Sequence, residues 1–140
     1  MEWLIYAFLS AIFAALVAIL AKIGIKNVDS NVATAVRTLV ILVFALGIVA
    51  AQGKLKDIGK ISSYSMLFLV LSGVATGLSW LFYFRALQLG NASQVAPIDK
   101  LSLVLTIVFA FFILKEPVNL QVIIGGLLMT IGTILIALAR

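Results

Sequence analysis

The chain has 140 residues, of which 64% are hydrophobic and 11% charged, and it contains neither cysteine nor histidine. Soluble domains carry about 25% charged residues, so lipid is the expected solvent, and one domain fits the length. The missing residue types exclude a disulfide framework, a Cys/His zinc site and a catalytic thiol or imidazole. The net charge of +5 is not read as nucleic-acid binding, because the cations fall at the ends of apolar segments, where Lys and Arg anchor to headgroups.

A bilayer core of about 30 Å needs about 20 helical residues. Segment one runs uncharged from Trp3 to Ala21, between Glu2 and Lys22. It opens on Met1-Glu2 rather than a basic leader and exceeds a secretory apolar core, so it is expected to remain as an anchor. Trp3 and Tyr6 read as interfacial anchors, and Ala7, Ala11 and Ala15 as a small-residue face. After Lys26 to Asn31, segment two runs from about Val32 to Ala51 around Arg37, whose side chain is expected to snorkel to the headgroups. A basic linker, Gln52 to Lys60, leads to segment three, uncharged from Ile61 to Phe84. Gly90-Asn91 forms the next turn and is expected to tolerate a left-handed, helix-ending conformation. Segment four, about Ser93 to Leu114, contains Asp99 and Lys100. Lys115-Glu116-Pro117 joins it to segment five, with Pro117 suited to the first helical turn and Glu116 favouring the helix start. Gly125, Gly126, Thr130, Gly132 and Thr133 line segment five with small residues.

The fold class is therefore all-α: a polytopic membrane bundle with five transmembrane helices, at about 3–23, 32–51, 62–84, 93–114 and 118–138, in a single domain spanning 1–140. Such runs lack the alternation of barrel strands, and only helices satisfy their own backbone in lipid without closing into a barrel. Five spans put the termini on opposite sides. Lys54, Lys56, Lys60 and Lys115 fall on the N-terminal side, and Lys22, Lys26, Arg37, Arg85, Lys100 and Arg140 on the other. This near-even distribution fixes no orientation by the positive-inside rule; insertion both ways up is one reading, a fixed orientation the other.

The polar groups within the spans are the candidate binding residues. Only 14 uncharged residues separate Lys100 from Lys115, about 21 Å of helix, so Asp99 and Lys100 lie in or at the edge of the hydrocarbon. A charge there costs about 3 kcal/mol and ordinarily faces a bundle interior or cavity; the plainer alternative is local pairing and snorkelling. Ser102 and Thr106 follow Asp99 on one helical stripe. Segment three carries a second stripe of Ser72, Thr76, Ser79 and Tyr83, bordered by Trp80. Segments three and four follow one another across a tight turn, so these stripes are expected to face each other or a shared cavity; the alternative is that the hydroxyls bond backbone carbonyls or glue helices together. Arg85 points away from the Tyr83 stripe and ranks lower. No phosphate loop, metal cluster or nucleophile–base set is present, so neither enzyme activity nor a cofactor is expected.

The run Ala86-Leu87-Gln88-Leu89-Gly90-Asn91-Ala92-Ser93-Gln94-Val95-Ala96-Pro97-Ile98, followed by an apolar helix, Leu114-Lys115-Glu116-Pro117 and the glycines at 125, 126 and 132, resembles the EamA family of the drug/metabolite transporter superfamily. Arg37 is similar to the family pattern as well. The resemblance implies a multi-pass protein of the cell membrane that moves small metabolites without ATP hydrolysis. Family members usually carry two such five-helix units in inverted orientation; one unit implies a homodimer, antiparallel if insertion is dual, or a heterodimer with a sister half. The Asp99-Lys100 pair departs from the apolar helix start of many full-length members. A small multidrug-type exporter fits less well, since its carboxylate lies within the first helix and segment one has only the terminal Glu2. The competing class is a non-transporting membrane subunit or lipid-handling partner of another half-size protein.

Overall fold

The computed structural model describes residues 2–139; the readings resting on Met1 and Arg140 lie outside them. In chain order, α1 is Glu2–Gly24, α2 Ser30–Ala51, a 3₁₀ turn Leu55–Lys60, α3 Ser63–Leu89, α4 Ala92–Asp99, α5 Leu101–Phe109, a π-helical turn Ala110–Leu114, and α6 Leu120–Leu138. Among the described residues there is no strand, and five helices are long and apolar enough to cross a membrane, with Ala92–Leu114 counting as one. The all-α, five-span class follows.

The helix ends are set by side chains and turns. Asp29 Oδ1 accepts from the N–H groups of Asn31 at 2.9 Å and Val32 at 3.2 Å, capping α2. Gly53, at φ 69, closes α2: its N–H bonds the Ala50 carbonyl and that of Lys54 bonds Val49, the paired bonds of a Schellman cap. Ser62 Oγ accepts from the Ser65 N–H at 3.1 Å at the start of α3.

Four details differ from the sequence reading. α3 continues to Leu89: Arg85 ends the apolar run but not the helix, because Arg, Ala, Leu and Gln are all good helix formers. Pro117 lies in the connection, and Asn119 caps α6 by accepting from the Val122 N–H at 2.9 Å. Asn91 is extended, at φ −73 and ψ 141, as an N-cap residue is. The left-handed non-glycine position is Lys115, at φ 55 and ψ 33, whose N–H and that of Glu116 both bond the Ala110 carbonyl and close the π turn.

The chain divides into two compact units. In the unit Leu20–Gln88, Ile25, Phe84 and Leu87 are buried, together with Ser30 and Thr34. Thr34 satisfies its hydroxyl on the Ser30 carbonyl at 2.8 Å. The Lys22 ammonium donates to the Leu87 carbonyl, and Gln88 Nε2 donates to the Val28 carbonyl at 2.6 Å. These bonds tie the end of α1 and the α1–α2 turn to the end of α3.

The second unit takes the residues up to Ile19 and those from Leu89 onward. Here α6 packs on α4 and α5. Gly126 and Thr133 are its buried positions. A Cβ on Gly126 would lie 3.8 Å from Ile107 Cδ1, so a small residue allows this approach. Gln94 Nε2 donates to the Ala139 carbonyl at 2.7 Å. Elsewhere large apolar side chains are exposed, Phe44 by 70% and Phe112 by 71%. That pattern suits lipid as the surrounding solvent.

Candidate functional site

The fourth span is broken within its length. Pro97 lies inside α4 and offers no N–H to the carbonyl four residues back, that of Ser93. Lys100 then leaves the helical path at ψ −6, its N–H shared between the carbonyls of Ala96 at 3.3 Å and Pro97 at 3.0 Å. The Pro97 carbonyl also receives the Thr133 hydroxyl of α6 at 3.5 Å. Asp99 and Lys100 sit at this break. Lys100 Nζ is 3.2 Å from Asp99 Oδ2, with side-chain exposures of 50% and 33%. Consecutive side chains on a regular helix do not face one another; the turn at Lys100 is what lets them pair. Asp99 is seven residues beyond Ala92, about 10 Å along the helix.

Ser102 and Thr106 follow on α5. Thr106 donates its hydroxyl to the Ser102 carbonyl at 2.8 Å, so its proton is held by its own helix and its oxygen remains an acceptor. On α3, in the other unit, Thr76 does the same to Ser72 at 2.9 Å. Ser72, Thr76 and Ser79 are exposed, and Trp80 and Tyr83 half-buried. The two stripes thus belong to different units: Ser72, Thr76, Ser79, Trp80 and Tyr83 to one, Asp99, Lys100, Ser102 and Thr106 to the other.

The unit Leu20–Gln88 brings Arg37 of α2 onto the rings of α3, a pairing that the sequence did not indicate. The Arg37 guanidinium lies 4.6 Å from the centroid of the Trp80 ring and 5.2 Å from that of Phe84. Trp80 and Phe84 are four apart on α3 and share a face. Tyr83 meets Phe84 edge-on, with centroids 6.3 Å apart. Arg37 therefore stacks on rings, a contact that compensates a charge within a span. The available signals were one cation inside span two and an aromatic pair at i, i+4 in span three. Lys22 had no such signal; before the structure it reads as one more anchor at a segment end. A further cavity, of about 500 Å³, is lined by Asp29, Ser30, Asn31, Leu78, Leu81, Phe82 and Arg85.

Comparison with known proteins matches the EamA-like transporter family over residues 1–138. A relative from a Sinorhizobium species, named "uncharacterized transporter in cobO 3′ region", is 47% identical over 136 residues, covering 97% of this chain and 96% of the relative. No solved structure matches.

Proposed function

The chain belongs to the EamA-like transporter family, and we propose that it works as a secondary transporter of small metabolites in the cell membrane. The observation that carries the mechanism is the helix break at Pro97–Lys100, which holds an Asp99–Lys100 ion pair about 10 Å along the helix from its start at Ala92. Discontinuous helices of this kind hold substrate and coupling-ion sites in secondary transporters, where unwound carbonyls and helix ends supply polar groups inside lipid. The pair keeps two opposite charges tolerable there, and either member can exchange its partner for a ligand. Asp99 accepts a proton or a cationic group of the substrate; Lys100 is then released toward an anionic group. Ser102 and Thr106 supply acceptor oxygens along the same stripe. In the unit Leu20–Gln88, Ser72, Thr76, Ser79, Trp80 and Tyr83 are the proposed substrate-facing residues of α3, and Arg37 holds the Trp80 ring in place.

The working form is proposed to be a dimer of five-helix units, an antiparallel homodimer or a pair with a sister half, moving by alternating access. The near-even distribution of cations supports the homodimer.

Uptake into proteoliposomes tests the proposal, using radiolabelled amino acids and polyamines under an imposed pH gradient. Wild-type chain should accumulate at least one compound above empty liposomes, and Asp99→Asn should reduce that rate about 10-fold or more, the loss expected of about one charged contact. Asp57→Asn, which removes only the exposed pair to Lys60, should transport normally. Accumulation of nothing in the panel would refute transport; an Asp99→Asn variant at the wild-type rate would remove Asp99 from the site.

A further inference from the structure

We infer that the cavity between the start of α2 and the C-terminal half of α3 is a binding site for a single phospholipid with a primary-amine headgroup of the phosphatidylethanolamine type. The cavity has two halves of different chemistry. Leu78, Leu81 and Phe82 form an apolar wall, and Asp29, Ser30, Asn31 and Arg85 form a polar rim. From Leu78 to Arg85 is seven residues, about 10 Å of helix. Arg85 lies four residues before the end of α3 at Leu89, where a span longer than the hydrocarbon core passes into the headgroup layer. The wall thus lies at acyl-chain depth and the rim at headgroup depth.

The charges on the rim narrow the occupant. Asp29 and Arg85 line one cavity, yet the ion pairs among the described residues are Lys60–Asp57 and Lys100–Asp99. A carboxylate and a guanidinium that share a cavity without pairing fit a zwitterion placed across them. Both capping bonds at α2 go to Asp29 Oδ1, so its other oxygen is outside the cap. Arg85 donates one N–H to Gln88 Oε1 at 3.1 Å; the guanidinium fork has further donors for phosphate oxygens. A primary ammonium donates hydrogen bonds to Asp29, which a trimethylated choline does not, and an anionic glycerol headgroup meets the carboxylate with the wrong sign. The exposed Leu78, Leu81 and Phe82 wall favours a lipid over a free zwitterion, because burying apolar surface requires a ligand with a tail.

Native mass spectrometry of the full chain tests this. The protein is released from mild detergent after equilibration with equimolar dioleoyl phosphatidylethanolamine, phosphatidylcholine and phosphatidylglycerol. Wild-type chain should retain phosphatidylethanolamine about 10-fold over phosphatidylcholine, the difference of about one charged hydrogen bond. Asp29→Asn should bring that ratio near one while keeping the helix, since Asn caps as well as Asp. Arg85→Gln should lower retention of both lipids together, with Arg85→Lys between it and wild type. A wild-type ratio of one overturns the proposal whatever the variants do. So does an unchanged ratio in Asp29→Asn, or displacement of the lipid by tail-free phosphoethanolamine at equal concentration, which would mark a soluble zwitterion as the ligand. This site rests on the membrane setting and not on transport, so its failure leaves the uptake experiment standing.

Discussion

Arg37 and Trp80 should be energetically coupled by about 1–2 kcal/mol. The guanidinium sits 4.6 Å from the Trp80 centroid and 5.2 Å from that of Phe84, both within the roughly 6 Å range of a cation–π contact, which is worth about 0.5–1 kcal/mol when exposed and about 2 when desolvated. Arg37 is half-buried, and Trp80 presents both the closer ring and the better π face, so it carries the larger share. A single Arg37→Gln substitution mixes this loss with a gain of opposite sign, because an arginine within a span costs about 2.5–3.5 kcal/mol on insertion scales. The insertion term is common to both legs of a double-mutant cycle and cancels. The assay is reversible unfolding of wild type, Arg37→Gln, Trp80→Leu and the double variant in mixed micelles, followed by far-ultraviolet circular dichroism. A coupling below about 0.4 kcal/mol, the ordinary error of additivity, would refute the stack as a stabilising contact and return Arg37 to the role of a headgroup anchor.

The same assay checks two further expectations. Lys115 holds φ 55 and ψ 33, a conformation that costs an L side chain about 1–2 kcal/mol; Lys115→Gly should therefore stabilise by about 0.5–1 kcal/mol after the added freedom of the unfolded chain is subtracted, and Lys115→Val should destabilise. Gly126 has room for a methyl group 3.8 Å from Ile107 Cδ1, so Gly126→Ala should be neutral or gain up to about 1 kcal/mol of helix propensity. Gly126→Leu should lose about 1–3 kcal/mol by overpacking the α5–α6 contact. Equal behaviour of the Ala and Leu variants would contradict that packing.

The five helices were legible because the apolar runs are long and end in charges or turn residues; no tertiary information was needed to find them. Their ends were less so. Charge marks where an apolar run stops, and in α3 the helix outlasts the run by a turn that carries Leu87 and Gln88, whose bonds to Lys22 and to the Val28 carbonyl tie the end of α3 to the end of α1 and the α1–α2 turn. Gly53 could have been read as the residue closing α2, since it stands two positions past Ala51; Lys115 could not, because nothing in a lysine announces a left-handed backbone. Asp99 and Lys100 stood out from the count of uncharged residues up to Lys115. The partners of Arg37 did not, for helical periodicity says that Trp80 and Phe84 share a face but not which helix that face meets.

The charges within the spans are compensated in different ways, and the difference bears on which of them can couple to transport. Arg37 is balanced by aromatic rings, and the guanidinium stays protonated under any physiological condition. Neither side of that contact takes up or gives away charge, so the stack can hold a ring in place but cannot respond to a proton gradient. Asp99 is balanced by an ammonium 3.2 Å away at a point where the helix is already broken. Its pairing is made possible by the turn at Lys100, and one proton on the carboxylate removes the charge that holds the pair. A group whose neutralisation frees a neighbouring charge is what a coupling site requires, because the ligand must bind one state better than the other to shift the equilibrium between them. The break at Pro97 and the pair at Asp99–Lys100 are therefore best treated as one device. Straightening the helix with Pro97→Ala should separate the pair and abolish the proposed proton-driven uptake even though both charges remain. Uptake that survives in that variant would show that the charges act without the break.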